Sequence, residues 1–160
     1  MVTVHDVAAY ILEKCGAMSS MKLQKLVYYS KAWHMVWADE EMFYETFEAW
    51  ANGPVVFELY DIHRGKFEVQ PPWAEGDASN LTAVERESID LVIKSYGPLS
   101  GRQLSALTHQ EGPWKNARNG LDPSARSATV ITAESMHEFY AALDVDDSAT
   151  AVSDIDWSTS

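Results

Sequence analysis

The side chains best suited to proton transfer or metal binding are five histidines, which are scattered singly along the chain. They are His5, His34, His63, His109 and His137. No two of them have the spacing of zinc ligands on one element. The chain also lacks a phosphate-binding loop, a Gly-x-Gly-x-x-Gly turn and a Gly-x-Ser-x-Gly nucleophile elbow. We therefore expect no metal ion, no cofactor and no established catalytic set.

Two histidines nevertheless have neighbours that allow a chemical interpretation. His109 lies two residues before Glu111, so the pair could transfer a proton; a structural role, in which His109 bonds the last carbonyls of its helix, is favoured. His34 lies between Trp33 and Met35 on an apolar helix, where a satisfied core histidine is commoner than a general base. We predict that the chain is not an enzyme, with catalysis by His109, Glu111 and His34 as the alternative.

The charge of the chain is strongly unbalanced. Twelve Lys and Arg residues oppose 24 Asp and Glu residues, which gives a net charge of −12. Such a chain is repelled by nucleic acid and attracted to a basic partner, although acidity also serves solubility alone. The one local basic cluster is Lys22, Lys25 and Lys31. We interpret it as a solvated helix edge, or alternatively as a contact with acidic groups.

Length and composition indicate one globular domain. The chain has 160 residues, of which 46% are hydrophobic, enough for a single core. The single cysteine, Cys15, excludes an internal disulfide and fits a reducing compartment. No apolar run approaches the roughly 18 residues of a membrane helix, and the first residues lack the cationic start of a signal peptide. We expect a cytoplasmic protein that contacts no membrane.

Helical periodicity dominates the first half and predicts a mainly α fold. We expect a compact single-domain bundle of about six to seven helices. The segment 20–38 is apolar on almost every side, so it belongs at the centre of the core. Residues 43–50 and 66–69 are predicted to form a small β element by pairing with each other. Gly53–Pro54 is predicted to begin a helix, with proline at its first position.

Helix starts in the second half are marked by two capping boxes. These are Thr82 to Glu85 and Ser100 to Gln103. The final helix begins after Thr132, and we place the end of the folded domain, residues 1–143, within it. Residues 144–160 contain five Asp and no Lys or Arg. That composition predicts a disordered acidic tail.

Aromatic side chains are the best candidates for contacts with a partner, because they dominate both cores and interfaces. Trp33, Trp50 and Trp114 are interpreted as core residues. Candidate partner contacts are Trp37 and Trp73, which lie next to loops, and Tyr28 and Tyr29 on the central helix.

Ordered blocks of these residues resemble the Panacea domain, the family that includes SocA-type antitoxins and phage-associated GepA-like proteins. The first block runs from Lys22-Leu23-Gln24-Lys25 to Leu59-Tyr60, and the second from Leu107-Thr108-His109 to Ala117-Arg118. The resemblance covers roughly Thr3 to Leu143. The motif positions, which we interpret as mainly structural, are Leu23, Gln24, Lys25, Trp33, His34, Trp50, Gly53, Pro54, Tyr60, His109, Pro113 and Trp114.

The resemblance implies a mostly helical antitoxin that neutralises a toxin by direct protein binding. Toxins paired with the family include alarmone-synthetase-like proteins that stop translation. An acidic domain would mask a toxin whose working surface is basic, and direct binding of nucleic acid is not expected. The resemblance also leaves open a proteolytic adaptor that delivers a toxin to a bacterial protease, and a phage accessory protein that binds a host factor.

Overall fold

A computed structural model describes residues 2–146, which fold into seven helices and five short strands. The helices are α1 Val4–Cys15, α2 Ser20–Ala38, α3 Phe57–His63, α4 Ala83–Tyr96, α5 Gly101–Gln110, α6 Gly112–Arg118 and α7 Ala133–Asp146. The strands are β1 Met18–Ser19, β2 Phe47–Trp50, β3 Gly53–Val56, β4 Glu68–Val69 and β5 Val130–Ile131. The prediction of a mainly α, single-domain bundle is confirmed.

Helix α2 is the centre of the bundle, as its sequence predicts. Its start is capped by Ser19, whose Oγ accepts a hydrogen bond from the Lys22 amide at 3.1 Å. Its end is set by Asp39, which adopts a left-handed conformation with φ 56°. Between these caps α2 packs against α1, α4, α5 and α7. Fully buried aliphatic side chains such as Leu23 and Leu26 each stabilise the fold by about 1.5–3 kcal/mol.

Both predicted capping boxes are present. The Thr82 amide donates to Glu85 at 2.8 Å, and the Glu85 amide donates back to the Thr82 hydroxyl at 3.1 Å. Ser100 and Gln103 make the same exchange at 2.9 and 3.1 Å. Each box satisfies amides that the first helical turn leaves free, which stabilises a helix by about 1 kcal/mol. The boxes therefore fix where α4 and α5 begin.

The β structure differs from the prediction in two ways. Strand β4 pairs with β1, with Val69 opposite Met18, so the predicted pairing of 66–69 with 43–50 is wrong. Strand β2 instead lies between β3 and β5 in a three-stranded sheet. The predicted helix start at Gly53–Pro54 is also wrong, because these residues open β3 and the helix begins only at Phe57. Proline is tolerated there because β3 is an edge strand, where one ladder donor can be missing.

The interpretation of the lysine cluster as a solvated edge is wrong for two of its members. Lys25 and Lys31 are buried at 1% and 2% exposure. The Lys31 ammonium donates to the Glu45 carbonyl at 2.8 Å and pairs with the Glu41 carboxylate at 3.2 Å. Because Lys25 and Lys31 lie on buried sides of α2, their ammonium groups must find partners inside the protein.

The end of the described chain lies within α7. This helix continues to Asp146, three residues past the predicted domain boundary. The rest of the predicted acidic tail, residues 147–160, lies outside the described residues. Among residues 2–146, none of the helices combines the length and the apolar character that crossing a bilayer requires.

Candidate functional site

The candidate site is built on the β2–β3 hairpin, which runs from Phe47 to Val56. Its strands are in register with Phe47 opposite Val56 and Trp50 opposite Gly53, so the turn between them has two residues. Gly53 has φ +116°, a conformation that residues with a side chain rarely adopt. The chain therefore reverses sharply here, and the carbonyls around the turn point away from the β2–β3 ladder towards neighbouring helices.

Helix α6 binds the first two of these carbonyls. The guanidinium of Arg118 donates to the Ala49 carbonyl at 2.9 Å. The indole of Trp114 donates to the Trp50 carbonyl at 2.7 Å. Both donors are buried, with 2% and 5% of their surface exposed. Hydrogen bonds in so dry a setting fix the backbone position, because the carbonyls have no water to exchange for them.

Helix α5 binds the next two backbone positions. The ring of His109 hydrogen-bonds to the backbone of Ala51 and stacks on Trp114, with 3.9 Å between ring centroids. The hydroxyl of Ser105 donates to the Asn52 carbonyl. Four consecutive residues of the hairpin, 49–52, are thus each held by a different side chain from α5 or α6.

Helix α2 holds the other arm of the hairpin. The Gln24 amide group accepts from the Val56 amide at 2.9 Å and donates to the Val56 carbonyl at 3.2 Å, as a neighbouring strand would. The Lys25 ammonium donates to the Pro54 carbonyl at 3.1 Å. Motif residues from three helices therefore converge on one short hairpin and make it rigid.

The hairpin forms one wall of a groove of about 740 Å³. The start of α2, helix α3 and the loop at 126–128 form the other walls. The lining side chains that carry the argument below are Gln24, Lys25, Glu48, Trp50, Tyr60 and His63. We refer to this feature as the hairpin groove.

Aromatic rings dominate one side of the hairpin groove. Trp50 and Tyr60 meet edge to face at 4.8 Å between centroids, and Tyr60 meets His63 at 5.5 Å. The Arg64 guanidinium lies over the Tyr60 ring at 5.3 Å. Trp50 and Tyr60 are only half-buried, so each has apolar surface left to bury against a partner.

The buried charged group of the hairpin groove is the Lys25 ammonium, which forms no ion pair within the described part of the chain. Burial lowers the pKa of Lys25 from 10.5 to about 7. Among the described residues, no carboxylate lies within 4 Å of its ammonium. The pKa of His63 is lowered by burial and by the charge of Lys25. The acid of the groove, Glu48, instead accepts from the Trp50 indole at 2.7 Å.

Two of the predicted partner contacts, Tyr28 and Tyr29, lie in the core at 1% and 0% exposure. Tyr29 and Tyr140 both donate to the Glu111 carboxyl, each at 2.7 Å. Burial raises the pKa of Glu111 to about 7, although the two tyrosine bonds act in the opposite direction. Tyr29 therefore helps to satisfy a buried acid, and neither Tyr28 nor Tyr29 presents a surface to a partner.

The two predicted tryptophan contacts differ from each other. Trp37 is 43% exposed and stacks on Trp33 with 5.4 Å between centroids. Trp73 is buried, and its indole donates to His5 at 3.1 Å. Of the four predicted contact residues, Trp37 alone offers an exposed face, and it lies outside the hairpin groove.

The catalytic alternative finds little support in the geometry. The Glu111 carboxyl bonds to tyrosines, and the His109 ring bonds to the backbone of Ala51. His109 therefore neither pairs with Glu111 nor caps the last carbonyls of its helix, which were the two predicted roles. His34 is fully buried, shares a 2.8 Å hydrogen bond with Ser88, and has its pKa lowered by burial. No group of His, Cys, Asp and Glu in residues 2–146 is arranged to hold a metal ion.

The sequence matches a known protein family. The model of the family described as "Antitoxin SocA-like, Panacea domain" matches residues 23–115, which is more than half of the chain. The chain belongs to this family. It is similar to Antitoxin SocA of Caulobacter vibrioides (strain NA1000 / CB15N), with 28% identity over 135 residues, 74% of this chain and 72% of the relative. No solved structure matches the chain.

The family motif now has a physical explanation, because most of its residues bind or form the hairpin. Sequence reasoning assigned no role in this arrangement to three of its residues: Ser105, Arg118 and His63. Arg118 had one available signal, its position four residues after Trp114, since an arginine there can lie over the ring, as it does at 5.0 Å. Ser105 gave no signal, because its partner Asn52 is distant in sequence. His63 contacts Tyr60, three residues earlier, but its hydrogen-bond partner Gln24 is 39 residues away.

Proposed function

We propose that this protein is the antitoxin of a toxin–antitoxin pair, and that it neutralises a cognate protein toxin by direct binding at the hairpin groove. Family membership and the similarity to Antitoxin SocA support the antitoxin role. One observation carries the choice of surface: buried side chains from α2, α5 and α6 hold a hairpin whose Trp50 lines an aromatic groove. On this proposal the protein transforms no substrate.

A rigid hairpin suits a binding surface because association then costs less conformational entropy. The turn residues 49–52 are already fixed in the free protein by hydrogen bonds from the helices. Trp50 and Tyr60 are half-buried, so their orientation is set while part of each ring stays available. Aromatic residues held in this way commonly supply most of the energy of an interface.

The net charge of −12 supports a toxin with a basic surface. A toxin that works on tRNA or another nucleic acid needs such a surface, and an alarmone-synthetase-like toxin that stops translation would fit. The antitoxin would then mask the surface that the toxin uses, in the cytoplasm where both proteins act. Nanomolar affinity requires about 12 kcal/mol, and exposed charge pairs contribute only about 0–1 kcal/mol each. The aromatic groove would supply the remainder.

Co-expression tests the antitoxin role. The open reading frame adjacent to the gene is induced alone and together with the full chain, and growth and co-purification are measured. The proposal predicts arrest by the neighbour alone, recovery with this chain, and a stable complex of the two proteins. A harmless neighbour that does not co-purify, together with turnover of a small molecule that a single substitution abolishes, would contradict it.

Deletion of residues 147–160 separates masking from proteolytic delivery. If the groove masks the toxin, the shortened chain should restore growth as well as the full chain does. If the protein is an adaptor, the deleted segment is the candidate for recognition by the protease, and recovery should be lost while the complex still forms.

A further inference from the structure

The chain contains two Asn-Gly pairs, Asn52-Gly53 and Asn119-Gly120. In such a pair the backbone nitrogen of the glycine can attack the asparagine side chain, because glycine has no Cβ atom to shield that nitrogen. The first pair lies at the turn of the β2–β3 hairpin, and the second follows directly after α6. The two pairs have the same chemistry but are held by the fold in very different ways.

The pair at the hairpin turn is fixed on both sides of its peptide bond. Gly53 is buried and is paired with Trp50 in the β2–β3 ladder. The Asn52 carbonyl accepts from the Ser105 hydroxyl. The Trp50 carbonyl accepts from the Trp114 indole at 2.7 Å. Rotation of the backbone at Asn52 would therefore break contacts with α5 and α6.

The pair after α6 is exposed at both residues. Asn119 ends the helix in a left-handed conformation, with φ 47° and ψ 50°. Gly120 has φ +80°, and a Cβ atom built on it would have nothing within 4 Å. Two hydrogen bonds close this turn, from the Asn119 amide to the Asn116 carbonyl at 3.1 Å and from the Leu121 amide to the Arg118 carbonyl at 3.0 Å. Neither of these bonds uses the Gly120 nitrogen.

The difference in confinement decides which pair can react. Attack on the side chain requires the asparagine backbone to rotate about ψ, so the local turn must open first. An exposed helix end opens at little cost in free energy, whereas a turn held by buried hydrogen bonds opens rarely. The left-handed conformation of Asn119 itself costs free energy in an L-residue, which makes opening easier still.

We propose that Asn119-Gly120 is a site of spontaneous deamidation, and that Asn52-Gly53 is protected by the fold. The Gly120 backbone nitrogen gives up its proton and forms a bond with Cγ of Asn119. The side-chain nitrogen takes up a proton and leaves as ammonia, so that a five-membered succinimide remains. Water then adds to one of the two ring carbonyls and breaks its bond to nitrogen. The product is aspartate or isoaspartate, and each carries one new negative charge.

The isoaspartate product changes the backbone next to Arg118. Its main chain runs through the former side chain, which adds one carbon atom between α6 and the loop that follows. Arg118 donates to the carbonyls of Asp122 and Ala125 in that loop, each within 2.8 Å, and to the Ala49 carbonyl of the hairpin at 2.9 Å. The modified loop therefore shares an arginine with the hairpin.

The test compares deamidation of the full chain when folded and when unfolded in guanidinium chloride, at mildly alkaline pH. Trypsin separates the two sites into the peptides 119–126 and 32–64, and mass spectrometry measures the conversion of each. For each site, the unfolded rate divided by the folded rate gives the protection by the fold. We expect little protection at Asn119 and at least about tenfold protection at Asn52, because opening the hairpin turn breaks several buried hydrogen bonds.

Matched glycine variants give the control. Gly120 and Gly65 both have φ +80°, and neither has an atom within 4 Å of a built Cβ. Gly120→Ala should slow the reaction at Asn119 about tenfold, an increase of about 1.4 kcal/mol in its barrier, because the added Cβ shields the attacking nitrogen. Gly65→Ala should leave the rate unchanged. No conversion of Asn119 in the folded chain, equal protection at the two sites, or the same slowing in both variants would overturn the proposal and leave the antitoxin role untouched.

Discussion

The side chain of Lys25 occupies the space that a Cβ atom at position 53 would need. A Cβ built on Gly53 would lie 2.5 Å from Cε of Lys25, and 2.9 Å from the hydroxyl of Thr108. The same lysine donates to the carbonyl of the next residue, Pro54. The two motif residues Lys25 and Gly53 are thus parts of one contact, in which a glycine lets a buried lysine reach the backbone of the hairpin.

We expect Gly53→Ala to destabilise the protein by about 2–4 kcal/mol, because it combines backbone strain at positive φ with overpacking. The control is Gly65→Ala. Gly65 has φ +80°, but nothing lies within 4 Å of its added Cβ, so only the strain of about 1 kcal/mol remains. Urea unfolding measures both free energies. Equal losses would mean that the contact with Lys25 does not constrain position 53.

Lys25 should make the free energy of unfolding rise with pH between about 7 and 10.5. Burial lowers its pKa from 10.5 to about 7 in the folded protein. Between these values the unfolded chain binds more protons, so the contribution of Lys25 to stability rises with pH, by up to about 1.4 kcal/mol per pH unit. Below pH 7 Lys25 is charged in both the folded and the unfolded state, so the full cost of burying its charge lowers the stability. In Lys25→Met this rise should be absent. A free-energy difference between the two proteins that stays constant from pH 7 to 9 would refute the prediction.

Glu111 should make the free energy of unfolding fall as the pH rises from 4.5 to 7. Its pKa is raised from 4.5 to about 7 by burial, so the folded protein binds more protons across that window. The stability contribution of Glu111 therefore falls as pH rises from 4.5 to 7, by on the order of 3 kcal/mol in total. Glu111→Gln stays neutral and can still accept from Tyr29 and Tyr140.

Comparison of the wild type with Glu111→Gln isolates this effect. Buried histidines with lowered pKa values, such as His34, make stability rise with pH instead. Their contribution is the same in both proteins, so it cancels in the difference. Urea unfolding at pH 5, 6 and 7 should show the variant gaining stability relative to the wild type as pH rises. A difference that does not grow would show that Glu111 keeps an ordinary pKa in the core.

Salt should slow the binding of the toxin more than it speeds dissociation. The net charge of −12 acts over a Debye length of about 30 Å at 0.01 M salt, and over only about 3 Å at 1 M. Steering by charge therefore fades, while buried aromatic contacts persist. Stopped-flow or surface-plasmon measurements at several salt concentrations give both rate constants. Equal association rates throughout would count against a basic toxin surface.

Local signals in the sequence predicted the helices well. The all-round apolar pattern of 20–38 and the capping boxes at Thr82 and Ser100 are properties of adjacent residues, and each element lies where these signals place it. The wrong prediction of a helix start at Gly53–Pro54 arose because the contacts that decide the structure there are distant in sequence. A proline at the start of a helix and a proline on an edge strand look alike locally, and the choice is made by Gln24 and Lys25, about 30 residues earlier.

The candidate site was only partly predictable for the same reason. The motif residues Gln24, Lys25, Trp50, Gly53 and Tyr60 were identified by family resemblance, but nothing in their order shows that they meet at one hairpin and its groove. The choice of Tyr28 and Tyr29 as partner contacts did not account for their position on a buried side of α2, where they are 1% and 0% exposed. The Tyr29 hydroxyl required a buried acceptor, and Glu111, more than 80 residues away, provides it.

The central claim is that the toxin is bound through the hairpin groove. The most direct test is the dissociation constant of the purified complex with Tyr60→Ser in the groove and Trp37→Ser outside it, both checked for wild-type thermal stability. The account predicts that Tyr60→Ser weakens binding at least about tenfold, mainly through faster dissociation, because aromatic anchors carry interface energy. Trp37→Ser should change it less than about twofold. Strong loss with Trp37→Ser and none with Tyr60→Ser would contradict the claim.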